Sequence, residues 1–284
     1  MPMDIETLIK ETLKEDCPTY DITTALCATT SETATAELFA KESGCFYGSA
    51  LISSFCEIMQ PTLSFILHCK DGDSIQKGDR LLTLSGSTHS LLKIERSLLN
   101  FLQRLCGIAS LTQAYVTTLN NDQIKVMDTR KTTPLLRDLE KAAVRAGGGH
   151  NHRFSLSDMV LIKENHLKAL EKGDGLDHLG AKLRQFKQNA PDCLIEIEIE
   201  TLNQLEELEL NEADIIMFDN FLIEDIKKGV EICNNRGYKA EIEVSGMISL
   251  DTITHYRDLP IQRISVGKIT HSVKALDLSL IIHD

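Results

Sequence analysis

The sequence predicts an α/β protein in which an incomplete parallel α/β barrel follows an N-terminal α/β (α+β) sandwich domain. After residue 120, six strand-like apolar segments alternate with helical segments over about 150 residues, which is typical of a parallel barrel. The first third mixes strands and helices without regular alternation, which favours an α+β domain. The chain has 284 residues, enough to bury a full core.

The N-terminal elements follow from apolar spacing. Residues 4–15 carry apolar side chains at helical intervals and should end before Pro18. The D-I-T-T segment from Asp21 to Thr24 is most simply a turn or a helix cap. The remaining elements are a strand over 33–40, a helix over 48–59, strands over 63–69 and 79–86, and a helical stretch over 91–119 that Gly107 is expected to divide.

The barrel elements are defined by alternation of short apolar runs and longer amphipathic ones. Three glycines at 147–149 act either as a helix C-cap or as a sharp turn before Asn151. The predicted strands cover 124–128, 159–163, 194–200, 214–220, 240–246 and 263–268. The predicted helices cover 135–146, 180–188, 202–210, 223–235 and a segment near 249–257.

Composition excludes several functional classes. A net charge of −12 argues against a general nucleic-acid binder, and no apolar run approaches the roughly 20 residues that span a bilayer. The N-terminus lacks the apolar core of a signal peptide. Eight scattered cysteines without a C-x-x-C pair favour reduced thiols in a cytoplasm over disulfides or a zinc finger.

A basic island lies in this acidic chain. Residues 125–168 contain nine cations and five anions, a local charge of +4 against −12 for the whole protein. Such an island indicates a local site for an anionic ligand rather than a positive field over the whole surface that would attract nucleic acid or membrane.

Polar residues follow the predicted barrel strands, where the active sites of such barrels lie. Arg and Lys there would face a ligand with more than one carboxylate or phosphate. Glu198 and Asp219, on successive strands, supply hard oxygen ligands suited to Mg²⁺. The strand ends are Asp128/Arg130/Lys131, Lys163/Asn165/His166, Glu198/Glu200, Asp219/Asn220, Ser245/Gly246 and Gly267/Lys268.

Other interpretations of these residues remain open. The E-I-E-I-E run is either a plain half-exposed strand or a strand whose charges point into the barrel. Arg96 and Arg104 share a helix face that is either solvated or part of an anion site. A zinc cluster of His150, His152 and His166 is disfavoured by its spacing and by the surrounding cations.

With these residues in view, the chain resembles the quinolinate phosphoribosyltransferase family over nearly its whole length. The motifs appear in the family's order. They are E-R-S-L-L-N-F-L-Q-R-L-C-G-I-A-S, D-T-R-K-T-T-P-L-L-R, G-G-G-H-N-H-R-F-S-L-S-D, L-I-K-E-N-H, E-I-E-I-E-T, F-D-N-F, S-G-M-I and I-S-V-G-K-I-T-H-S.

The resemblance implies a fold, a reaction and an assembly. It implies a sandwich domain over 1–108, completed by the tail 271–284, and a barrel over 109–270. The family makes nicotinate mononucleotide, CO₂ and pyrophosphate from quinolinate and phosphoribosyl pyrophosphate with Mg²⁺, a step of NAD biosynthesis. It also implies a homodimer, with higher assembly open, in which Arg96 reaches the partner's site.

The resemblance also assigns residues to roles. Arg130, His152, Arg153 and Lys163 are similar to the quinolinate carboxylate binders, and Lys131 to a catalytic residue near the phosphoribosyl donor. Glu198 and Asp219 are similar to the catalytic, ribose- and metal-associated carboxylates. The 5′-phosphate site would comprise Thr129, Ser245, Gly246 and Gly267. Met247 departs from the family, which often has a second glycine there.

Two alternative functions remain open. A related enzyme acting on nicotinate would share the fold, although several cations favour two carboxylates. A non-catalytic sensor of a dicarboxylate would also bind anions, but Glu198 and Asp219 would serve no purpose in it.

Overall fold

The computed structural model describes residues 4–27 and 32–283, and the chain forms two compact units. The first comprises Met1–Gln113, Thr132–Gly148 and Ile269–Asp284, and the second comprises Ala114–Lys131 and Gly149–Lys268.

The first unit contains an antiparallel sheet. The strands of this sheet are β1 (Thr33–Ala40), β3 (Leu63–Leu67), β5 (Arg80–Ser87) and β12 (Leu278–His283). Two short strands, β2 (Gly44–Cys45) and β4 (Ser74–Ile75), form a separate two-stranded ribbon. The sheet order is β12-β1-β5-β3, so the C-terminal strand pairs with the first one. Leu38 of β1 pairs with Leu280 on one side and Leu82 on the other, and it is fully buried.

The helices of this unit largely follow the predicted pattern. They are α1 (Ile5–Asp16), α2 (Ile22–Cys27), α3 (Ser49–Ile58), α4 (Thr88–Leu119, which continues into the second unit) and α5 (Arg137–Ala146). Asp4 caps α1, and Asp21 caps α2 by accepting from the amide of Thr24 at 3.0 Å. The predicted capping role of the D-I-T-T segment is confirmed.

The expected division of the long helix at Gly107 is wrong, because α4 is continuous. A Cβ atom at Gly107 would lie 2.3 Å from the carbonyl oxygen of Lys274. The glycine therefore permits a close approach of the C-terminal segment, and this packing outweighs its low helix propensity.

The second unit is an incomplete parallel barrel, as predicted. Its strands are β6 (Lys125–Met127), β7 (Val160–Ile162), β8 (Ile195–Ile199), β9 (Ile215–Asp219), β10 (Glu241–Ser245) and β11 (Arg263–Ser265). They are parallel in the order β6-β11-β10-β9-β8-β7, and within the described residues no ladder joins β6 to β7. Its helices are α6 (Glu164–Lys172), α7 (Leu179–Asn189), α8 (Leu202–Glu207), α9 (Ile223–Asn235) and α10 (Lys268–His271, which extends into the first unit), with 3₁₀ turns at Leu176–His178 and Ile253–Tyr256.

Two barrel helices differ from the prediction. Helix α6 was not predicted because Leu167 is its only buried residue, which leaves little apolar periodicity. The predicted helix near 249–257 is only the 3₁₀ turn. There the hydroxyl of Thr252 accepts from the amide of Ser249 at 3.0 Å, and such local bonds compete with helical ones.

The cysteines and the helices bear on two expectations from composition. All eight cysteines are free thiols. Across residues 4–27 and 32–283, no helix has both the length and the apolar character needed to cross a membrane.

Candidate active site

A pocket of about 380 Å³ opens where the barrel strands end. Parallel strands bring their carboxyl ends to one edge of the sheet, so residues distant in sequence meet there. The pocket is lined by Thr129, Arg130, Lys131, His152, Arg153, Leu161, Lys163, Glu198, Met217, Asp219, Ser245 and Ser265.

Strand alternation delivers the carboxylates to this pocket. In β8, the residues Ile195, Ile197 and Ile199 alternate with Glu196 and Glu198, and all five are buried. Glu198 lines the pocket, so the glutamates face the interior of the barrel. The interpretation of E-I-E-I-E as a half-exposed strand is wrong, and the inward-pointing alternative is confirmed.

Glu198 combines a cationic partner with a buried position. The ammonium of Lys163 forms an ion pair with its carboxylate. Burial raises the pKa of Glu198, the Lys163 contact opposes that rise, and the negative charge of Asp219 adds to it. Asp219 accepts a hydrogen bond from the Asn220 amide at 2.8 Å. The negative charge of Asp219 therefore acts on the carboxyl group of Glu198 across the pocket.

The loop after the three glycines is held by the buried Asp128. Its carboxylate accepts from the backbone amide of His152 at 2.9 Å and from the side chain of Asn151 at 2.6 Å. Arg153 is buried and donates to the carbonyl of Met159 at 3.2 Å. Burial lowers the pKa of Arg153, and the nearby Arg130 charge lowers it further. Two guanidinium groups thus share this wall.

A buried cluster joins His152 to Glu196 and Glu243. Nε2 of His152 lies 2.8 Å from Glu196 and 3.5 Å from Glu243. Burial acts to lower the pKa of His152, but the two glutamates outweigh it and raise the pKa to about 9. Burial also raises the pKa of Glu196, and the charge of Glu243 adds to that rise. The cluster therefore keeps an extra proton at neutral pH.

The position of that proton is decided by a backbone amide. A raised pKa of His152 alone would imply a doubly protonated ring. However, the amide N–H of Arg153 donates to Nδ1 of His152 at 2.8 Å, which leaves no room for a proton on Nδ1. We therefore place one proton on Nε2 and the extra proton on Glu196, in agreement with the raised pKa of that carboxyl group.

The turn after β10 requires glycine. Gly246 has φ of +119°, and a Cβ atom there would lie 2.6 Å from Oδ1 and 2.9 Å from both Cα and N of Asn220. Asn220 itself has a left-handed backbone conformation, with φ of +59°, and its backbone N–H donates to the carbonyl of Ser245 at 2.9 Å. Met247, by contrast, is 90% exposed.

The structure brings most of the predicted residues together and leaves some apart. Gly246 adjoins the lining residue Ser245, and Gly267 directly precedes α10, but neither lines the pocket. Arg96 lies exposed on α4 and does not line it. Nine of the predicted residues do, namely Thr129, Arg130, Lys131, His152, Arg153, Lys163, Glu198, Asp219 and Ser245.

Other charged or polar residues singled out in the sequence have different positions. Arg104 is half-buried and forms a 2.7 Å ion pair with the fully buried Glu140 in the first unit. His150, His166 and Glu200 are exposed. Within the described part of the chain, the three groups that converge closely enough to hold a metal are His152, Glu196 and Glu243, not the three histidines.

Glu196 and Glu243 were not singled out from the sequence, and the contacts of the strand-end residues Asp128 and Asn220 were not foreseen. Glu196 and Glu243 occupy inward positions of E-I-E-I-E and E-I-E-V-S, so strand alternation was the available signal. Asp128 was noted as a strand end, but its contacts with the 150–153 loop join distant segments. Asn220 follows a strand in F-D-N, and only the turn geometry shows what it packs against.

An anion pocket with four cations and two carboxylates at parallel strand ends is the arrangement of an enzyme that acts on an anionic substrate. Family profiles agree. Residues 21–106 match the N-terminal domain of quinolinate phosphoribosyl transferase, and residues 108–281 match its C-terminal domain. The chain belongs to the quinolinate phosphoribosyltransferase family, as its motifs indicated.

Individual relatives are similar over nearly the whole chain. A Bacillus subtilis protein, named probable nicotinate-nucleotide pyrophosphorylase (carboxylating), is 40% identical over 278 residues, 98% of this chain and 93% of that protein. An Arabidopsis thaliana protein, named as the chloroplastic form, is 35% identical over 293 residues, 98% of this chain and 82% of that protein. The crystal structure of NadC from Streptococcus pyogenes shows a TM-score of 0.89 at 40% identity, with 100% of this chain and 99% of that chain covered.

Proposed function

We propose that this protein transfers a phosphoribosyl group from phosphoribosyl pyrophosphate to quinolinate, with loss of CO₂ and release of pyrophosphate. The product is nicotinate mononucleotide, an intermediate of NAD biosynthesis. The carrying observation is a single pocket in which Arg130, Lys131, Arg153 and Lys163 face the carboxylates of Glu198 and Asp219. Membership of the family supports the same reaction.

The number of cations favours a dicarboxylate over nicotinate. Arg130, Arg153 and Lys163 bind the two carboxylates of quinolinate, with His152 on the same wall, and each planar guanidinium matches a carboxylate. Leu161 and Met217 supply an apolar surface for the flat ring. A monocarboxylate would leave part of this charge without a counterion.

Glu198 and Asp219 fit a role in holding Mg²⁺. They are hard oxygen donors that line the same pocket, and Asp219 is near enough to raise the pKa of Glu198. Mg²⁺ is usually held by one or two carboxylates together with substrate phosphates. When bound, the ion neutralises the charge that develops on departing pyrophosphate.

The protein's own side chains then account for the rest of the chemistry. The cations orient quinolinate with its ring nitrogen toward the anomeric carbon of the ribose. Lys131 balances the negative charge of the leaving pyrophosphate, while Glu198 and Asp219 stabilise the positive charge that develops on the ribose. The ribose–nitrogen bond leaves the ring cationic, and this positive charge stabilises the electron pair that stays on the ring carbon when the C–CO₂ bond breaks; a proton from water then takes the place of CO₂ on that carbon.

The 5′-phosphate of the donor binds around Thr129, Ser245, Gly246 and Gly267. Thr129 and Ser245 line the pocket, and the turn at Gly246 brings backbone close to it. Hydroxyl groups and backbone amides at barrel strand ends commonly bind phosphate. Met247 stands where the family often has a second glycine, and its side chain is 90% exposed.

We also propose a homodimer in which Arg96 enters the partner's site, and a cytoplasmic location consistent with eight free thiols. Mixing an Arg96→Ala variant with a Lys131→Ala variant tests the shared site. Heterodimers would contain one intact site, so about a quarter of wild-type activity should return. Activity no higher than that of the two variants alone would refute the cross-subunit role.

The reaction is tested by measuring pyrophosphate and CO₂ release from phosphoribosyl pyrophosphate with quinolinate or with nicotinate, each with and without Mg²⁺. We expect Mg²⁺-dependent release of both products with quinolinate. Turnover with nicotinate but not with quinolinate would identify nicotinate as the substrate, and no turnover with either compound would refute the proposal.

A further inference from the structure

A buried acidic pair has no role in the reaction described above. Glu196 on β8 and Glu243 on β10 are both fully buried and face the interior of the barrel. The carboxylates of both residues approach Nε2 of His152. Burying two carboxylates is costly unless they stabilise something specific. Their common partner is His152, which lines the pocket.

A metal ion is the first alternative for three such groups, since their ligand atoms lie within 4.8 Å of one another. A histidine that binds a metal ordinarily donates its second ring N–H to an acceptor. Here Nδ1 of His152 instead accepts from the Arg153 amide at 2.8 Å. Nε2 must therefore carry the proton and has no lone pair for a metal. The geometry excludes this cluster as a metal site.

The same contacts show what His152 does. Nε2 lies beside the carboxylates of Glu196 and Glu243, and Nδ1 accepts from the backbone amide of Arg153. Both ring nitrogens are thus directed at protein atoms. The backbone amide of His152 is in turn fixed by Asp128 at 2.9 Å. The ring therefore links the barrel interior to the backbone of Arg153.

We propose that Glu196 and Glu243 are positioning residues that orient the His152 ring, which in turn holds the Arg153 backbone so that its guanidinium binds a substrate carboxylate. This inference rests on the proposed function and deepens it. His152 contributes to recognition of the dicarboxylate through Arg153 rather than through a ring nitrogen. Binding of the donor, phosphoribosyl pyrophosphate, does not depend on this linkage.

The test compares Glu196→Ala with Glu196→Gln, and Glu243→Ala with Glu243→Gln. Each alanine variant removes one of the two buried carboxylates beside Nε2 of His152 and leaves a cavity there, whereas glutamine retains an oxygen in its place. We expect each alanine variant to raise KM for quinolinate about tenfold while KM for phosphoribosyl pyrophosphate stays within about twofold. Each glutamine variant should recover most of the quinolinate affinity.

A matched control comes from the same strand. Glu241 also lies on β10, two residues before Glu243, but it pairs with Arg263 and Lys125 at the other end of the barrel. Glu241→Gln should leave both KM values unchanged. Thermal unfolding of every variant separates loss of stability from loss of recognition.

A double variant shows whether Glu196 acts through His152. In a His152→Ala background, Glu196→Ala should change KM for quinolinate by less than about twofold, because the linkage is already broken. Full additivity, or equal changes in both KM values, would overturn the inference. Calorimetric titration of quinolinate alone gives the same comparison without turnover. An inactive wild-type enzyme would refute the proposed function, whereas an active one with insensitive Glu196 and Glu243 variants would refute only this inference.

Discussion

Gly246→Ala tests the turn proposed to bind the 5′-phosphate. A left-handed φ of +119° costs a non-glycine residue about 1 kcal/mol. The added Cβ would also lie 2.9 Å from the Cα and N atoms of Asn220, and these backbone atoms cannot rotate away. We expect a further loss of about 1–3 kcal/mol and a displaced turn. Urea unfolding measures the stability, and steady-state kinetics should show KM for phosphoribosyl pyrophosphate raised about tenfold.

Gly237→Ala is the matched control for backbone strain. Gly237 has φ of +73° in the same unit, but nothing lies within 4 Å of its Cβ position. This variant should lose about 1 kcal/mol of stability and keep its kinetics. If Gly246→Ala matched it in both stability and KM, the close approach to Asn220 would have no consequence and the reasoning would be refuted.

Three further predictions concern turnover, core stability and pH. Lys131→Ala should lower kcat about 10²-fold or more while quinolinate binding remains measurable by calorimetry, and unchanged turnover would defeat its assigned role. Arg104→Met should lower the free energy of unfolding by about 3 kcal/mol in urea denaturation, because Glu140 is fully buried and loses its cation; an Arg104→Met/Glu140→Leu double variant should recover part of it, and equal losses would contradict this. Hydrogen bonds from the Asp277 amide and then Lys274 hold the pKa of Glu42 below its usual 4.5, so its stabilisation is present above that pH and is lost as pH falls through the folded-state pKa. Thermal unfolding midpoints of wild type and Glu42→Gln should therefore differ slightly near neutral pH and converge in acid, and a constant difference would exclude this contribution.

The sequence alone determined the fold class, most of the elements and nine of the twelve residues that line the pocket. Strand and helix periodicities are local properties of the chain, and they gave β1 and α9 with the bounds seen in the structure. Parallel alternation also implied that Lys163, Glu198 and Asp219 would meet, because the strand ends of a barrel share one edge. The family motifs assigned the same edge to substrate binding.

Only the tertiary structure decided the contacts that support this edge. The continuity of α4 depends on the Lys274 backbone passing within reach of Gly107, which helix propensity cannot predict. The role of Glu196 and Glu243 depends on their convergence on His152 from separate strands, and the tautomer of that ring depends on one backbone amide. Periodicity fixes which way a side chain points, but its partner is set by distances between segments far apart in the chain.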